Sequence, residues 1–397
     1  MIQQQGRDMT DENLVNPDVA KAVGDWGGYV EAKMGFRNHW YPVRFSKEID
    51  EGQIEIVKVL GEQLLLKRID GKVYAIRDRC LHRGVPLSRK PDCYTKDTIT
   101  CWYHGYTYRF QTGELVNILA VPDSRLIGRR KIVSYPVEEA KGLVFVFVGD
   151  TDEDNPPPPL AQDVPPGFLD EDIMVLGKHR VVNSNWRLGA ENGFDSLHIF
   201  IHKDTTLRHY RHFNFPIGHT PLPGAVELVE EADGPKGVID DFAQHHPVWE
   251  GVIDGRVVVR GPRTPNVSGT SASVGTSIWL PGVLKVAEFP GPGLTQFEWY
   301  VPMDDKTHLY VQTIGCPVAS EEDKLTFAGE FESVWKPHGL DGFNGDDIWA
   351  REVTEPFYAD DFGWVDEMLC EPDVTILEWR RLAARHGRGI QTPAHLR

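Results

Sequence analysis

The chain has 397 residues, of which 41% are hydrophobic, so it can bury a sizeable core, and its length favours two domains over one. Its formal net charge of −17 argues against nucleic acid as a partner, because phosphate binding needs a basic face. The sequence lacks a run of about 18 apolar residues that could cross a bilayer, and its polar N-terminus lacks the layout of a signal peptide, so we expect no membrane partner and a cytoplasmic location.

The first half of the chain is predicted to form an all-β domain over residues 38–150, preceded by an extension, residues 1–37, that packs on the second domain. Short β-rich stretches alternate there with turns, and the pair Asp70-Gly71 is a strong hairpin signal. The predicted strands cover residues 54–60, 63–69, 73–77, 98–102, 107–110 and 143–148.

A proline-rich stretch follows, with prolines at 156–159 and at 165–166, whose fixed backbone angles resist both helix and central strand. We therefore place the domain boundary there and predict an α+β second domain over residues 151–397, with an antiparallel sheet and covering helices. The Gly-, Pro- and His-rich stretch 208–273 is expected to form long loops over it. Helices are predicted over 184–202, 321–335 and 373–386, and strands over 278–285, 295–302 and 308–315.

The β-rich domain contains two short Cys/His motifs: Cys80 and His82, then Cys101 and His104. Five cysteines in the whole chain are too few and too scattered for a disulfide framework, so metal binding is the better use of these two. Two thiolates and two imidazoles can hold one zinc ion, or an iron–sulfur cluster with both cysteines on one iron and both histidines on the other. Zinc fingers group Cys with Cys and His with His, whereas each motif here offers one of each, which favours a Rieske [2Fe-2S] cluster.

The second domain contains another set of potential ligands. His198 and His202 are four residues apart, and on a helix that spacing puts both imidazoles on one face. Two histidines and one carboxylate, with open positions, form the iron site of non-haem Fe(II) oxygenases. The candidate carboxylates are the neighbours Asp346 and Asp347, which local chemistry does not separate. Taken alone, two histidines at this spacing belong to an ordinary helix face about as often as to a metal site.

Asp195 lies three residues before His198 and would share much the same helix face. One interpretation is a helix-capping or first-turn acid. The other is a carboxylate that accepts the free N–H of His198 and so fixes its tautomer. Asp195 could also reach a cluster histidine.

Taken together, the two ligand sets resemble those of the α subunits of Rieske non-haem-iron ring-hydroxylating oxygenases, over nearly the whole chain. Within that family the resemblance is strongest to the angular dioxygenases that attack carbazole-type heteroaromatics. It is carried by the segments FRNHWYPV (36–43), DRCLHRGV (78–85), NGFD (192–195), IWLPGVLKV (278–286), QFEWYVP (296–302) and DDIWARE (346–352).

The resemblance implies a role for each candidate ligand. Cys80 and Cys101 would hold one cluster iron and His82 and His104 the other, while His198, His202 and Asp347 would hold a mononuclear Fe(II). The resemblance also implies a homotrimer without β subunits. In that trimer Asp195 would link His198 to the partner's His104, so that the electron crosses a subunit interface.

The resemblance further implies the reaction. Electrons from NADH would reach the Rieske cluster through a separate reductase and ferredoxin, and O₂ would be the co-substrate. We expect no bound NAD or FAD, and no G-x-G-x-x-G motif stands in this sequence. The substrate would be a flat tricyclic heteroaromatic such as carbazole, dihydroxylated at an angular carbon and its neighbour.

Motif matching also suggests a substrate pocket, with the backbone carbonyl of Gly193 facing the ring N–H. The expected wall residues are Ile199, Val286, Phe289, Gln296, Phe343 and Asn344. Plain core packing is the alternative for each of them. Two other functions stay open at this point: a Rieske monooxygenase or O-demethylase, which shares every metal ligand, and a Rieske electron-transfer protein, which needs no second iron.

Overall fold

The structure is a computed structural model that describes residues 15–152, 154–207, 215–253, 256–260 and 275–396. It is an α+β fold, in which small antiparallel sheets precede a seven-stranded antiparallel sheet covered by helices. Among the helices of these described ranges, none is both long and apolar enough to span a membrane.

Ten strands form three antiparallel sheets in the first half of the chain, ordered β1-β10-β9, β2-β3-β4-β8 and β5-β6-β7. Their bounds are β1 (His39–Phe45), β2 (Ile54–Val59), β3 (Glu62–Ile69), β4 (Lys72–Arg77), β5 (Thr98–Thr100), β6 (Tyr106–Arg109), β7 (Leu115–Ile118), β8 (Ser134–Tyr135), β9 (Val137–Ala140) and β10 (Leu143–Val148).

All six strands predicted in this half are confirmed, and Asp70-Gly71 makes the expected hairpin turn with φ of 52° and 80°. The prediction missed β1, which carries Pro42 at a point where its register with β10 shifts. Proline removes a ladder hydrogen bond and normally argues against a strand, except at an edge or a bulge. It also missed β7, β8 and β9, which have four residues or fewer.

The described residues of the second half also form ten strands. Seven of them form one sheet in the order β11-β20-β19-β18-β17-β14-β13, and the other three form the sheet β12-β15-β16. Their bounds are β11 (Ile173–Val182), β12 (Gly218–Pro221), β13 (Val226–Glu230), β14 (Lys236–Asp241), β15 (His245–Ile253), β16 (Arg256–Arg260), β17 (Gly275–Trp279), β18 (Val283–Ala287), β19 (Thr295–Pro302) and β20 (His308–Pro317).

The longer helices pack against this sheet and one another. The α-helices are α1 (Pro17–Ala22), α2 (Gly27–Glu31), α3 (Trp186–Phe194), α4 (Glu321–Glu330), α5 (Asn344–Tyr358), α6 (Gly363–Asp366) and α7 (Val374–His386), and a π-helix (Phe331–Phe343) joins α4 to α5. The 3-10 helices are Gly24–Trp26, Ser46–Glu48, Leu87–Arg89, Leu160–Gln162, His198–Asp204, Phe242–Gln244, Glu371–Asp373 and Pro393–Leu396.

The described part of the N-terminal extension packs on the second half of the chain. Tyr29 is fully buried between the rings of Trp186 and Trp379, at centroid distances of 5.7 and 6.2 Å. The Lys33 ammonium lies 2.9 Å from a carboxylate oxygen of Asp361. Residues 1–14 of the extension lie outside the described residues.

Two predictions about the strands of the second half were wrong. Residues 278–285 were expected to form one strand, but a turn with a cis bond between Leu280 and Pro281 divides them between β17 and β18. The stretch 208–273 was expected to form loops, but its described residues form the five strands β12–β16. Their mixed polarity hides the period-two pattern, since several of these strands have charged or half-buried side chains on both faces.

Two predicted helices also differ from the structure. The helix expected over 184–202 ends at Phe194, because Asp195 takes an extended conformation, and the chain resumes as the 3-10 helix His198–Asp204. The helix expected over 321–335 continues through the π-helix into α5. The helix predicted over 373–386 is confirmed as α7.

Candidate active site

Two loops of the same construction carry the first ligand set. The loop after β4 holds Cys80, whose carbonyl accepts the Gly84 N–H at 2.9 Å, and the loop between β5 and β6 holds Cys101, whose carbonyl accepts the Gly105 N–H at 3.0 Å. Both glycines are left-handed, with φ of 69° and 70°. Only glycine takes this backbone conformation at little cost, so each loop can turn tightly around its ligands.

The thiols and imidazoles of these loops are separated into two pairs. Cys80 and Cys101 are buried, whereas His82 is exposed and His104 half-buried, with their ring centroids 4.4 Å apart. The Tyr108 hydroxyl lies 3.2 Å from the Cys80 sulfur. Burial raises the pKa of the Cys80 thiol and so disfavours the thiolate form. A metal cation beside the sulfur would have the opposite effect and favour the thiolate.

This pairing fits a two-iron cluster better than a single zinc ion. Among the described residues, one group of three or more His, Cys, Asp or Glu has all its ligand atoms within 4.8 Å of one another, and it belongs to the second ligand set. Tetrahedral zinc would need four such atoms around one point. Two thiols at one end and two imidazoles at the other suit the two irons of a Rieske cluster.

The compact group is His198, His202 and Asp347. The Asp347 Oδ1 atom lies 3.2 Å from His202 Nε2 and 3.6 Å from His198 Nε2, and the two imidazole planes are nearly perpendicular at 88°. His202 Nε2 and Asp347 Oδ1 are both buried without a hydrogen-bond partner. Buried polar atoms that converge without partners fit a shared metal ion, and the donor set suits Fe(II).

The electrostatics of the group agree with metal binding. Burial would raise the pKa of Asp347, but His202, His198 and Arg351 hold the pKa of this carboxyl below its usual range. Burial would lower the pKa of His202, but the Asp347 and Asp346 carboxylates raise it overall. The carboxylate is therefore ionised, as a metal ligand must be.

Distant elements hold the three side chains together. Both histidines come from the 3-10 helix His198–Asp204, and Asp347 comes from the first turn of α5. The His202 ring stacks on Phe343, at a centroid distance of 3.6 Å and an interplanar angle of 13°. The prediction that an α-helix presents both histidines on one face was wrong in its helix type, since a 3-10 helix carries them.

The structure distinguishes the two neighbouring aspartates. The Asp347 side chain is 4% exposed and faces both Nε2 atoms, whereas the Asp346 side chain is 42% exposed and lies 3.4 Å from His202 Nδ1, on the other side of that ring. Asp347 is thus placed to contact a metal, and Asp346 to orient the histidine that would bind it.

Asp195 does not contact His198 in the way that was expected. The backbone carbonyl of Asp195, and not its carboxylate, accepts the Nδ1–H of His198. The carboxylate accepts the Leu197 N–H at 2.7 Å. Burial raises the pKa of Asp195, an effect that nearby His198 opposes. The expected link from Asp195 to the partner's His104 is not tested by a single chain and stays a prediction.

A cavity opens beside His198 and Asp347. All seven residues predicted for the substrate pocket line it: Gly193, Ile199, Val286, Phe289, Gln296, Phe343 and Asn344. Asp195 also lines the cavity, although it was predicted as a partner of His198 and not as a wall residue. Sequence reasoning missed the other lining residues Phe194, Ser196, Phe215, Pro216, His219, Phe242, Thr276, Leu284 and Glu298.

A usable signal existed for the wall residues of the sheet, because Leu284 and Glu298 lie two positions from the predicted wall residues Val286 and Gln296 and so share their faces of the strands. Thr276, Val286 and Gln296 lie directly opposite one another on β17, β18 and β19. Directly opposite residues share one face of a sheet, so two predicted wall residues point to the third once the strand register is known. His219 and Phe242 lie in the stretch that was expected to form loops, where no signal was available.

A buried hydrogen-bond network supports one wall of the cavity. The Glu298 carboxylate accepts hydrogen bonds of 2.6 Å from Tyr300, Tyr310, Gln296 and Asn344. The network continues to Arg351, whose guanidinium lies 4.5 Å above the Tyr310 ring and donates to Asn192 at 2.6 Å. The four donors use all the acceptor positions of the Glu298 carboxylate, so this polar wall has no carboxylate position left for a further donor.

Two protein-family models match successive parts of the chain. A model described as a Rieske [2Fe-2S] domain matches residues 39–136, and a model described as a homotrimeric ring hydroxylase matches residues 147–391. The first match contains both Cys/His loops, and the second contains the His198, His202 and Asp347 group.

Individual proteins match over nearly the full length. The terminal oxygenase component of carbazole 1,9a-dioxygenase from Metapseudomonas resinovorans is 53% identical, covering 96% of this chain and 99% of that protein. Its counterpart from a Sphingomonas species is 55% identical, over 92% and 96%. The solved reduced complex between oxygenase and ferredoxin in carbazole 1,9a-dioxygenase matches with a TM-score of 0.90 at 53% identity, over 96% and 97%.

Proposed function

The chain belongs to the homotrimeric ring hydroxylase family and carries a Rieske [2Fe-2S] domain, and on this premise we propose that it is the terminal oxygenase of an angular dioxygenase. Its substrate is carbazole or a related tricyclic heteroaromatic, the class on which its relatives act by name. The observation that carries the proposal is a two-His, one-carboxylate group that opens into a largely apolar cavity, in a chain that also has a Rieske domain.

In this proposal the ligands divide as their geometry suggests. Cys80 and Cys101 hold one iron of the cluster, and His82 and His104 hold the other. His198, His202 and Asp347 hold the mononuclear Fe(II). When bound, the two centres supply electron transfer and oxygen activation. The reaction joins one aromatic substrate, one O₂, two electrons and two protons into a dihydroxylated ring.

The protein residues around the iron group fix its shape before any metal binds. The Nδ1–H of His198 donates to the Asp195 carbonyl, so that its Nε2 faces the site as an acceptor. The Phe343 ring holds the plane of His202. Aromatic and aliphatic walls exclude water from the space beside the ligands and leave a flat ring as the favoured occupant.

Gly193 offers the substrate a hydrogen-bond acceptor. Its carbonyl would accept the Leu197 N–H if α3 continued, but that N–H donates to the Asp195 carboxylate instead. A Cβ atom at Gly193 would lie 2.3 Å from the Tyr300 hydroxyl and 2.8 Å from Leu284, so the close approach requires glycine. We assign the Gly193 carbonyl to the N–H of a carbazole-type ring.

Two exposed apolar patches support a homotrimer. Leu81, Trp102 and Tyr103 are exposed beside the cluster loops, and a second patch runs along the outer face of α5, at Trp349, Val353 and Phe357. Large exposed apolar patches mark interfaces. A head-to-tail ring, in which the cluster end of one chain meets the α5 face of the next, buries both patches and lets Asp195 reach the partner's His104.

The electron donor is a ferredoxin, fed by a reductase that uses NADH. A structurally similar oxygenase has been solved in complex with its ferredoxin. The oxygenase itself then needs neither NAD nor FAD. Since NADH and its reductase are cytoplasmic, the proposed function places this protein in the cytoplasm.

Two alternatives use parts of the same structure. A Rieske monooxygenase or O-demethylase would share every metal ligand, and full-length similarity to carbazole oxygenases favours the dioxygenase over it. A Rieske electron-transfer protein would have no use for the convergent His198, His202 and Asp347 group.

The proposal is tested on the purified protein with its ferredoxin and reductase. We expect a Rieske EPR signal on reduction, with about three iron atoms and about two acid-labile sulfides per chain. With ¹⁸O₂, both oxygen atoms introduced into carbazole should carry the label. One labelled atom, or release of a demethylated product, would indicate the monooxygenase or demethylase. About two irons after Fe(II) reconstitution would indicate electron transfer, and zinc without colour would contradict both assignments.

A further inference from the structure

The polar side chains of the cavity wall divide into two groups. His198 and Asp347 face the iron position, Gln296, Glu298 and Asn344 bond to one another, and the Asp195 carboxylate accepts the Leu197 N–H. All six therefore have a partner or a metal to bind. The second group comprises Ser196, His219 and Thr276, and we call it the polar corner.

Two members of the polar corner have buried atoms with no partner. Within the described residues, neither the Ser196 hydroxyl nor His219 Nδ1 has a hydrogen-bond partner, and His219 is only 6% exposed. Buried polar groups nearly always have a partner, so an exception in a cavity wall needs an explanation, and a bound ligand is one.

The ring of His219 is held firmly in the wall. Its backbone N–H donates to the Ser196 carbonyl at 3.2 Å, which joins β12 to the segment after α3. The imidazole stacks on Phe242 at a centroid distance of 4.4 Å and an angle of 21°. It also meets the His245 ring edge to face at 5.5 Å. These three contacts fix both the position and the plane of the ring.

A buried hydrogen-bonded pair, His245 and Asp240, lies behind His219. His245 Nε2 lies 2.6 Å from Asp240 Oδ1, and both side chains are fully buried. Asp240 lies directly opposite Thr276 in the pairing of β14 with β17. Both β12, which carries His219, and β17, which carries Thr276, contact the 3-10 helix Phe242–Gln244. The same helix therefore packs against both strands of the polar corner.

The corner is uncharged on its cavity side. Burial and the neighbouring His245 lower the pKa of His219 to about 3, which leaves its imidazole neutral at physiological pH. A neutral imidazole offers one N–H donor and one acceptor nitrogen, and the hydroxyls of Ser196 and Thr276 can do either. Such a corner suits a neutral hydroxyl group or ring nitrogen and gives no attraction for an anion.

We propose that His219 is a specificity-determining residue that hydrogen-bonds to a second polar atom of the substrate, beyond the N–H assigned to Gly193. The preferred substrates are then tricyclic heteroaromatics that carry a hydroxyl group or a second ring nitrogen. This inference rests on the proposed function, because it takes the cavity to be the substrate site.

The test measures binding to the holoenzyme under anaerobic conditions, so that no turnover interferes. Dissociation constants for carbazole and for the set of monohydroxycarbazoles are determined by fluorescence titration. For wild type, at least one monohydroxycarbazole should bind about 10-fold more tightly than carbazole. The His219→Phe variant keeps an aromatic ring without nitrogen, and it should reduce that ratio to about 1, while His219→Gln should retain part of it.

His246→Phe is the matched control, because His246 is the exposed neighbour of His245 and lies outside the cavity wall. It should keep the wild-type ratio, and the Rieske spectrum of each variant reports on its folding. A wild type that binds carbazole but no monohydroxycarbazole more tightly would overturn the inference, as would an undiminished ratio in His219→Phe. Both results leave the proposed function intact, whereas a wild type that neither binds nor oxygenates carbazole would contradict the proposed function itself.

Discussion

The cluster loops and the iron group of this chain each bring metal ligands together, but the two sites are built differently. All four cluster ligands lie between Cys80 and His104, in two loops with the same backbone hydrogen bonds. The iron group combines a 3-10 helix at His198 with α5 at Asp347, and the chain between them builds most of the catalytic sheet. The first site depends on local turns and the second on the packing of distant elements.

This difference predicts how each site fails. A local loop keeps its shape while its own turns are intact, so damage elsewhere leaves it unchanged. A site assembled from distant elements depends on every contact that holds those elements together, including the Glu298 network behind the cavity. Substitutions in the second site should therefore leave the cluster properties unchanged, which the Asp347 and Asp346 experiments below test directly.

The largest effect is expected for Asp347→Ala. Loss of the only carboxylate of the iron group should lower iron from about three to about two atoms per chain and reduce carbazole turnover by about 10³-fold or more, since metal activation contributes several kcal/mol. The Rieske EPR signal should persist. Asp233→Ala, at an exposed hairpin turn, is the control and should keep all of its iron. Full iron content in Asp347→Ala would show that another residue supplies the carboxylate.

A smaller effect on stability is expected for Glu298→Gln. In wild type four donors bond to the Glu298 carboxylate, whereas the glutamine amide keeps one acceptor oxygen and turns an NH₂ group toward two of these donors. The variant should therefore lose about 2–3 kcal/mol of unfolding free energy. Denaturant titration followed by tryptophan fluorescence measures this loss. Glu227→Gln, on an exposed position of β13, should change stability by less than about 0.5 kcal/mol. Equal stability of the two variants would mean that the network contributes little.

The smallest effect is expected for Asp346→Asn. Asp346 contacts His202 at Nδ1, the nitrogen that faces away from Asp347, and is 42% exposed, so its charge orients the ligand without binding the metal. Substituting such a residue should weaken Fe(II) affinity by about 10-fold, measured by competition with a chelator. The cluster potential and the unfolding free energy should not change. An unchanged Fe(II) affinity would show that the Phe343 stack alone is enough to hold His202 in place.

Local sequence determined much of this protein. The spacing of Cys80, His82, Cys101 and His104 indicated the Rieske cluster, because tight loops bring near neighbours together whatever the rest of the chain does. The six strands predicted in the first half, the hairpin at Asp70-Gly71 and helix α7 follow from the same local rules. Resemblance to the family added seven residues that do line the cavity.

Only the tertiary structure decided the rest. Asp346 and Asp347 are equivalent by local chemistry, and the packing of α5 against the 3-10 helix at His198 buries one and exposes the other. The strands between residues 218 and 260, one of which carries His219, could not be predicted from the sequence because their side chains show no clear period-two pattern. Pairing with distant strands decides which of these side chains are buried. The sequence determines which side chains are available, and the contacts between distant elements determine which of these side chains lie together in a site.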